Sequence, residues 1–255
     1  MARRTVIAAL SLLAVVPACA APDMAPVPAG AFVPFFKFIP AKGQRPVESR
    51  SVAVKAFRLD RFPVTNAQFA RFLEKAPNWR RENAPRLFVD PNYLKRWVDG
   101  APPAAEANAP VTNVSWFAAE AYCEARGARL PTTDEWEYAL ADSGRGQAQV
   151  TRASLDWFAK PNGARISDVG GAPNGFGVSD MVGLVWEWTQ DFSATGSGTE
   201  QRNTSSKDDA AFCGGGASGV RDPSDYPGFM RYALRASLKA AYVQDNLGFR
   251  CAGDE

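Results

Sequence analysis

The stretch "NVSWFAAEAYCEARGARLPTTDEWEYAL", Asn113 to Leu140, carries most of the local structure that can be read directly. Ser115 stands where a helix N-cap belongs, and Gly127 stops the run that follows it. Thr132 caps a second helix, and Glu135 three residues later closes a capping box. Upstream, "FRLDRFPVTNAQFARFLEKA" reads as a strand followed by a helix. Thr65 caps that helix, Gln68 completes the box, and Val64 with Phe69 can staple it. Phe69 and Phe72, three apart, share one helix face.

Outside these stretches the pattern breaks up. Residues 77–112 read as a long irregular excursion with one short helix near Tyr93–Trp97, and residues 143–178 as turn-rich. "MVGLVWEWTQDF" alternates apolar and polar around Trp186 and Trp188, which predicts a strand. Residues 193–209 are rich in Ser, Thr, Gly and Asp and predict a surface loop. "AFCGGGASGVRDPSDYPGFMRYALRAS", Ala211 to Ser237, has one cysteine, three glycines and a string of turn formers, so it reads as a loop built to hold something. The 21 Gly and 19 Pro among 255 residues are spread along the whole chain. No repeat and no flexible linker interrupts residues 21–255, which predicts a single domain.

The first twenty residues have the form of an export signal: basic "MARR", apolar "TVIAALSLLAVV", then small residues. Two readings stand, cleavage after Ala20 or a lipoprotein signal with Cys19 as the lipidated residue. Both place the mature chain outside the cytoplasm, in the periplasm, either soluble or lipid-anchored. No later segment is apolar enough to span a bilayer. Without Arg3 and Arg4 the 29 basic residues fall to 27, matching 27 acidic ones, so nothing favours nucleic acid. The chain has no histidine. That excludes His general bases, Ser–His triads and His-ligated zinc or copper.

Four segments in order resemble the formylglycine-generating enzyme (sulfatase-modifying factor) family. They are "RFPVTNAQFARFL", "PVTNVSWFAAEAYCEARGARLPTTDEWEYAL", "NGFGVSDMVGLVWEWTQDF" and "NLGFRCA", with "VPAGAF" near the start. The resemblance runs from Pro26 to Ala252. It implies an α+β fold related to C-type lectins, irregular and loop-rich, with few helices and twisted antiparallel strands. It also implies a choice of functions. The namesakes oxidise a sulfatase cysteine with copper(I) held by two cysteines, other members act in ergothioneine synthesis, and others are periplasmic accessory or regulatory proteins.

The copper site is where this sequence departs from the namesakes. A soft Cu(I) centre wants two thiolates. Where the pair is expected, the sequence reads "DPSDYP" (Asp222–Pro227), and the preceding Gly-Gly-Ser reads "GGA" (Gly215–Ala217). Cys213 lies before the glycines. The expectation is no copper and no formylglycine generation. The resemblance further implies a disulfide between Cys123 and Cys251, which an oxidising periplasm permits. That leaves Cys213 as a small packed residue or a reactive thiol.

By the same resemblance, Asp180 and Glu187 side chains with the Gly183 and Val185 carbonyls would hold a structural calcium. A second family calcium site has no convincing match in "SLDWFAKPNGARISDVGG". The residues themselves offer another reading for Glu187, a buried carboxylate paired with an arginine such as Arg250. Arg129 and Arg250 are expected to anchor loops through forked hydrogen bonds, and Trp116, Trp136, Trp186 and Trp188 to pack the core. Tyr226, Phe229, Arg231 and Arg235 are expected to line a cleft of the composition found at binding hot spots, or simply to pack.

Two functions of different class follow. One is a non-catalytic periplasmic accessory or regulatory protein that binds a protein partner. By resemblance it would be a regulator of type VI secretion phosphorylation, or an accessory to copper-enzyme or nitrite-reductase maturation. The other is an oxidoreductase acting on a peptide-derived metabolite, as in siderophore maturation, using a set such as Tyr226, Asp225 and Arg231.

Overall fold

Short strands from both ends of the chain meet in one sheet. The computed structural model describes residues 23–33, 51–142, 147–160, 165–192 and 226–255. Strands β1 (Met24–Val27), β2 (Gly30–Phe32), β3 (Val52–Val54) and β4 (Phe57–Asp60) come first. β1 pairs antiparallel with β4 from Met24↔Asp60 to Val27↔Phe57, and β2 pairs antiparallel with β3. The opposite edge of β4 is taken by the C-terminal residues Ala252–Asp254, also antiparallel. The segment before them is tied in by Asp60 N–H to the Cys251 carbonyl and Val64 N–H to the Phe249 carbonyl, both 2.9 Å.

The three predicted caps are all in place. Helix α1 (Asn66–Lys75) starts at Thr65, whose hydroxyl accepts from the Gln68 N–H while the Gln68 side chain accepts from the Thr65 N–H. Helix α2 (Trp116–Glu124) starts at Ser115, which accepts from the Ala118 N–H. Helix α3 (Thr133–Ala141) has the full box between Thr132 and Glu135, with Asp134 and Glu135 in the first turn where they face the positive end of the helix dipole. Such caps contribute about 1 kcal/mol each. Gly127 sits beyond α2 at φ +68°, a left-handed conformation that suits glycine.

Phe69 of α1 anchors the larger hydrophobic cluster. Its ring stacks on Tyr122 at 5.8 Å and meets Phe249 edge-on at 6.1 Å, with Phe72 at 5.3 Å. Val64 and Phe69, the predicted staple, are both buried in this cluster. A second cluster packs Val27, Phe57 and Leu59 of the sheet against Trp136 and Ala139 of α3.

Several expectations are corrected. The excursion has no helix at Tyr93–Trp97; that stretch is a series of turns. Single 3-10 turns lie instead at Pro77–Trp79 and Ala104–Glu106. Residues 143–178 are not merely turn-rich, because helix α4 covers Gln147–Phe158. The alternation at Met181–Phe192 yields only a two-residue strand, β5 (Trp186–Glu187). Helix α5 (Tyr226–Ser237) replaces the second half of the expected loop. β5 pairs parallel with β6 (Leu247–Gly248), and Ala252–Asp254 is β7. Gly248 is required here, since a Cβ would meet the Val111 carbonyl at 2.6 Å. Cys213, the three glycines, Asp225 and all of Ala211–Asp225 lie outside the described residues.

Cys123 of α2 and Cys251 are joined in a disulfide, with Cα atoms 5.6 Å apart and both residues fully buried. The bridge ties residues 128 positions apart. In the chain-entropy account so long a loop makes the crosslink worth about 2–5 kcal/mol. Peptide mapping without reductant should recover Cys123 and Cys251 as one crosslinked pair. The Cys123→Ala/Cys251→Ala variant should unfold at lower urea by that amount. A crosslink from Cys213 to either residue would overturn the pairing.

Candidate functional site

Arg250, in "GFRC", has no exposed surface. A buried guanidinium is tolerable only when its donors are paired. Its Nε and Nη2 fork onto Glu187, at 2.7 Å to Oε2 and 2.8 Å to Oε1. Nη1 donates to the Asp60 and Arg61 carbonyls, and Nη2 also to those of Ser179 and Asp180. The Trp136 indole N–H adds a 2.7 Å bond to Glu187 Oε2. One cation therefore joins the end of β4, the 179–180 turn, β5 and, through Glu187, helix α3. Arg129 does similar work nearer the surface, forking onto Glu135 at 2.7 Å and reaching Asp254.

Of the two readings for Glu187, this geometry carries the ion pair. Both of its oxygens already accept from Arg250, and the Asp180 carbonyl does too. The Asp180 carboxylate accepts instead from the Gly170 and Gly171 N–H groups. Asp180 is left-handed at φ 56°, and a Cβ on Gly171 would meet its Oδ1 at 2.2 Å, so this turn needs that glycine. A calcium ion on the Asp180, Gly183, Val185 and Glu187 oxygens would lie against the Arg250 guanidinium, like charge beside like. The donor set is a poor fit for the ion.

Four side chains were expected in the cleft, and the structure divides them. Tyr226 is 40% exposed at the start of α5, and Phe229 is half-buried. Arg231 and Arg235 are buried, at 3% and 8% exposure, and both bind Glu137 of α3. Arg231 forks onto it with two 2.9 Å bonds, and Arg235 Nη1 adds one at 2.7 Å. Arg231 is thus not an exposed hot-spot side chain but half of a clamp between α3 and α5. Burial alone would raise the Glu137 pKa, but the two guanidiniums outweigh it and lower the value from 4.5 to about 2. Arg235 also lies over the Trp136 ring, 4.8 Å from its centroid.

Beside this clamp is a narrow crevice, largely filled by its own side chains. Its walls include Trp157 and Phe158 of α4 and Trp186 of β5. Trp157 and Phe158 lie 4.6 and 5.4 Å from Trp186, and Phe158 meets Tyr226 edge-on at 6.3 Å. Sequence reasoning missed Glu137, Trp157 and Phe158. Glu137 had a usable signal, because α3 is apolar on nearly all sides after Glu135 and any carboxylate there must meet a cover. Trp157 and Phe158 lay in a stretch read as turns.

These features define a class, an α+β domain of short strands and capped helices held by buried arginine–carboxylate pairs and one long-range disulfide. A family model, "Sulfatase-modifying factor enzyme 1-like domain", matches residues 12–255, and the chain belongs to that family with its formylglycine-generating-enzyme fold. "Inactive C-alpha-formylglycine-generating enzyme 2" of Mus musculus is 31% identical over 249 residues, 80% of this chain and 77% of the relative. "Formylglycine-generating enzyme" of Bos taurus is 27% identical over 299 residues, 91% and 74% of the two chains. A solved structure, PvdO from Pseudomonas aeruginosa, aligns over 91% of this chain and 94% of its own with TM-score 0.46 and 19% identity.

Two measurements test the buried charges. Glu187→Gln should destabilise the protein by about 3–5 kcal/mol, because it strands Arg250. The wild-type melt should be the same in calcium and in chelator; a rise with calcium would restore the calcium reading. Because Glu137 has a lowered folded pKa, its contribution is complete above pH 4.5 and lost as the pH falls towards 2. Glu137→Gln should therefore melt lower than wild type at pH 7, with the gap closing across that window in acid denaturation.

Proposed function

We propose that the chain is a non-catalytic, extracytoplasmic member of its family that binds a protein partner. The observation that carries this is the cysteine count. The sequence holds four cysteines. Cys123 and Cys251 are consumed by the buried disulfide, and Cys19 belongs to the leader-like N-terminus. Cys213 alone remains, with no histidine to help it. A bis-thiolate copper(I) centre cannot be assembled within one chain from a single thiol. The kinship with a relative whose name marks it inactive supports the same reading.

What remains at the site supports binding. The α4–α5 crevice combines Trp, Phe and Arg, with Trp and Arg enriched at interface hot spots. The partner is a protein outside the cytoplasmic membrane or at its surface, and the settings in keeping with the resemblance are type VI secretion phosphorylation and copper-enzyme or nitrite-reductase maturation.

The catalytic half is tested directly. A Cys-x-Pro-x-Arg peptide incubated with the purified protein and Cu(I) should keep its thiol mass. Conversion above a control with metal alone would show an oxidase and end this reading.

A further inference from the structure

The excursion makes a tight turn at Pro85–Phe88, closed by the Phe88 N–H on the Pro85 carbonyl at 2.8 Å. Arg86 and Leu87 are the two central residues of that turn. Such positions ordinarily go to Gly, Pro, Asn, Asp or Ser. Leu87 is instead 77% exposed, the most exposed large apolar side chain among the described residues. Behind the tip runs a row of half-buried rings. Phe88 lies 6.2 Å from Trp79 and 4.9 Å from Phe117, and Phe117 lies 5.5 Å from Trp116. Residues 240 and 241 border the row, because their carbonyls accept from the Trp116 and Asp90 N–H groups. Tyr242 follows them, 40% exposed, with the Lys239 ammonium 5.4 Å above its ring. The same stretch carries uncompensated positive charge. Arg80 donates to the Leu73 carbonyl, and Arg81 to those of Pro91 and Lys95. Neither these two nor Arg86 forms an ion pair among the described residues. Of the two acids between Trp79 and Asp90, Glu82 is exposed, while the Asp90 carboxylate accepts from the Asn92 and Val243 N–H groups.

We propose that this turn and the ring row behind it dock on an anionic lipid surface. Leu87 enters the boundary between headgroups and acyl chains. Trp79 and Tyr242 lie at headgroup level, where rings with one apolar and one polar end are favoured. Arg80, Arg81 and Arg86 pair with lipid phosphates, which match the guanidinium fork. Shape favours lipid over protein as the occupant. An apolar side chain standing out from a turn needs a matching pocket in a protein, whereas a fluid lipid layer yields around it. Cations flanking an apolar tip are the two components of peripheral attachment, charge attraction and apolar burial. The inference goes beyond the partner-binding reading and stands apart from it.

The test is flotation of the full chain with two kinds of vesicle, phosphatidylcholine alone and equal parts phosphatidylcholine and phosphatidylglycerol. The variants are Arg86→Glu, Leu87→Ser and the two combined. Both side chains are exposed, so the variants should melt with wild type. Residues 1–20 are common to every sample, so differences between variants belong to the turn. Wild type should prefer the mixed vesicles, and added salt should weaken that preference. On mixed vesicles Arg86→Glu and Leu87→Ser should each weaken binding by about fivefold, and the double variant by more. On phosphatidylcholine alone Arg86→Glu should change nothing. Equal binding of wild type and the double variant to mixed vesicles, or no preference for the anionic ones, overturns the proposal and gives the surface to a protein partner. Neither result touches the peptide-oxidation assay, which judges the absence of catalysis separately.

Discussion

A buried guanidinium organises the molecule. Removing an arginine and a glutamate from water costs several kcal/mol per ion, and only near-complete hydrogen bonding offsets it. Arg250 meets that demand by drawing four backbone carbonyls and both Glu187 oxygens around itself. Because those carbonyls belong to the end of β4 and to the 179–180 turn, satisfying the cation fixes where these loops lie. With β5 and β6 only two residues long, ladder hydrogen bonding alone could not hold this region. The neighbouring disulfide and the pairing of β7 with β4 anchor the same C-terminal segment from its other side.

The same logic recurs at Glu137, with a different result. There two arginines share one carboxylate, and the three bonds clamp α3 to α5. Arg231 forks onto Glu137, whereas Arg235 gives it one bond and lies over the Trp136 ring. Among the described residues the crevice walls hold no cysteine, and the chain has no histidine. The non-catalytic reading needs both the count of four cysteines and the fold, which pairs Cys123 with Cys251.

How much could be read beforehand differs from element to element. The N-caps at Thr65, Ser115 and Thr132 were legible because a capping box is local: the hydroxyl and the residue three positions on satisfy each other within one turn. Helix α4 was not, since "QAQVTRASLDWF" is flanked by glycines and its aromatic residues pack on β5, far away in sequence. The alternation at Trp186 and Trp188 was genuine but decided little. Trp188 is fully buried with its indole N–H on the Val114 carbonyl, while the backbone there leaves the strand after two residues. For Glu187 the two readings were a cation and an arginine, and only the fold shows that Arg250 reaches it.

The sequence by itself determined the family, through ordered motifs, and limited the available ligands to four cysteines with no histidine. Those are properties of composition and order, which folding cannot alter. The tertiary structure decided what each charged residue does. Arg231 and Arg235 are four apart on one helix and alike in type, so no local pattern says that both meet one carboxylate. Both meet Glu137, nearly a hundred positions earlier in the chain, which presents two oxygens to three of their donors.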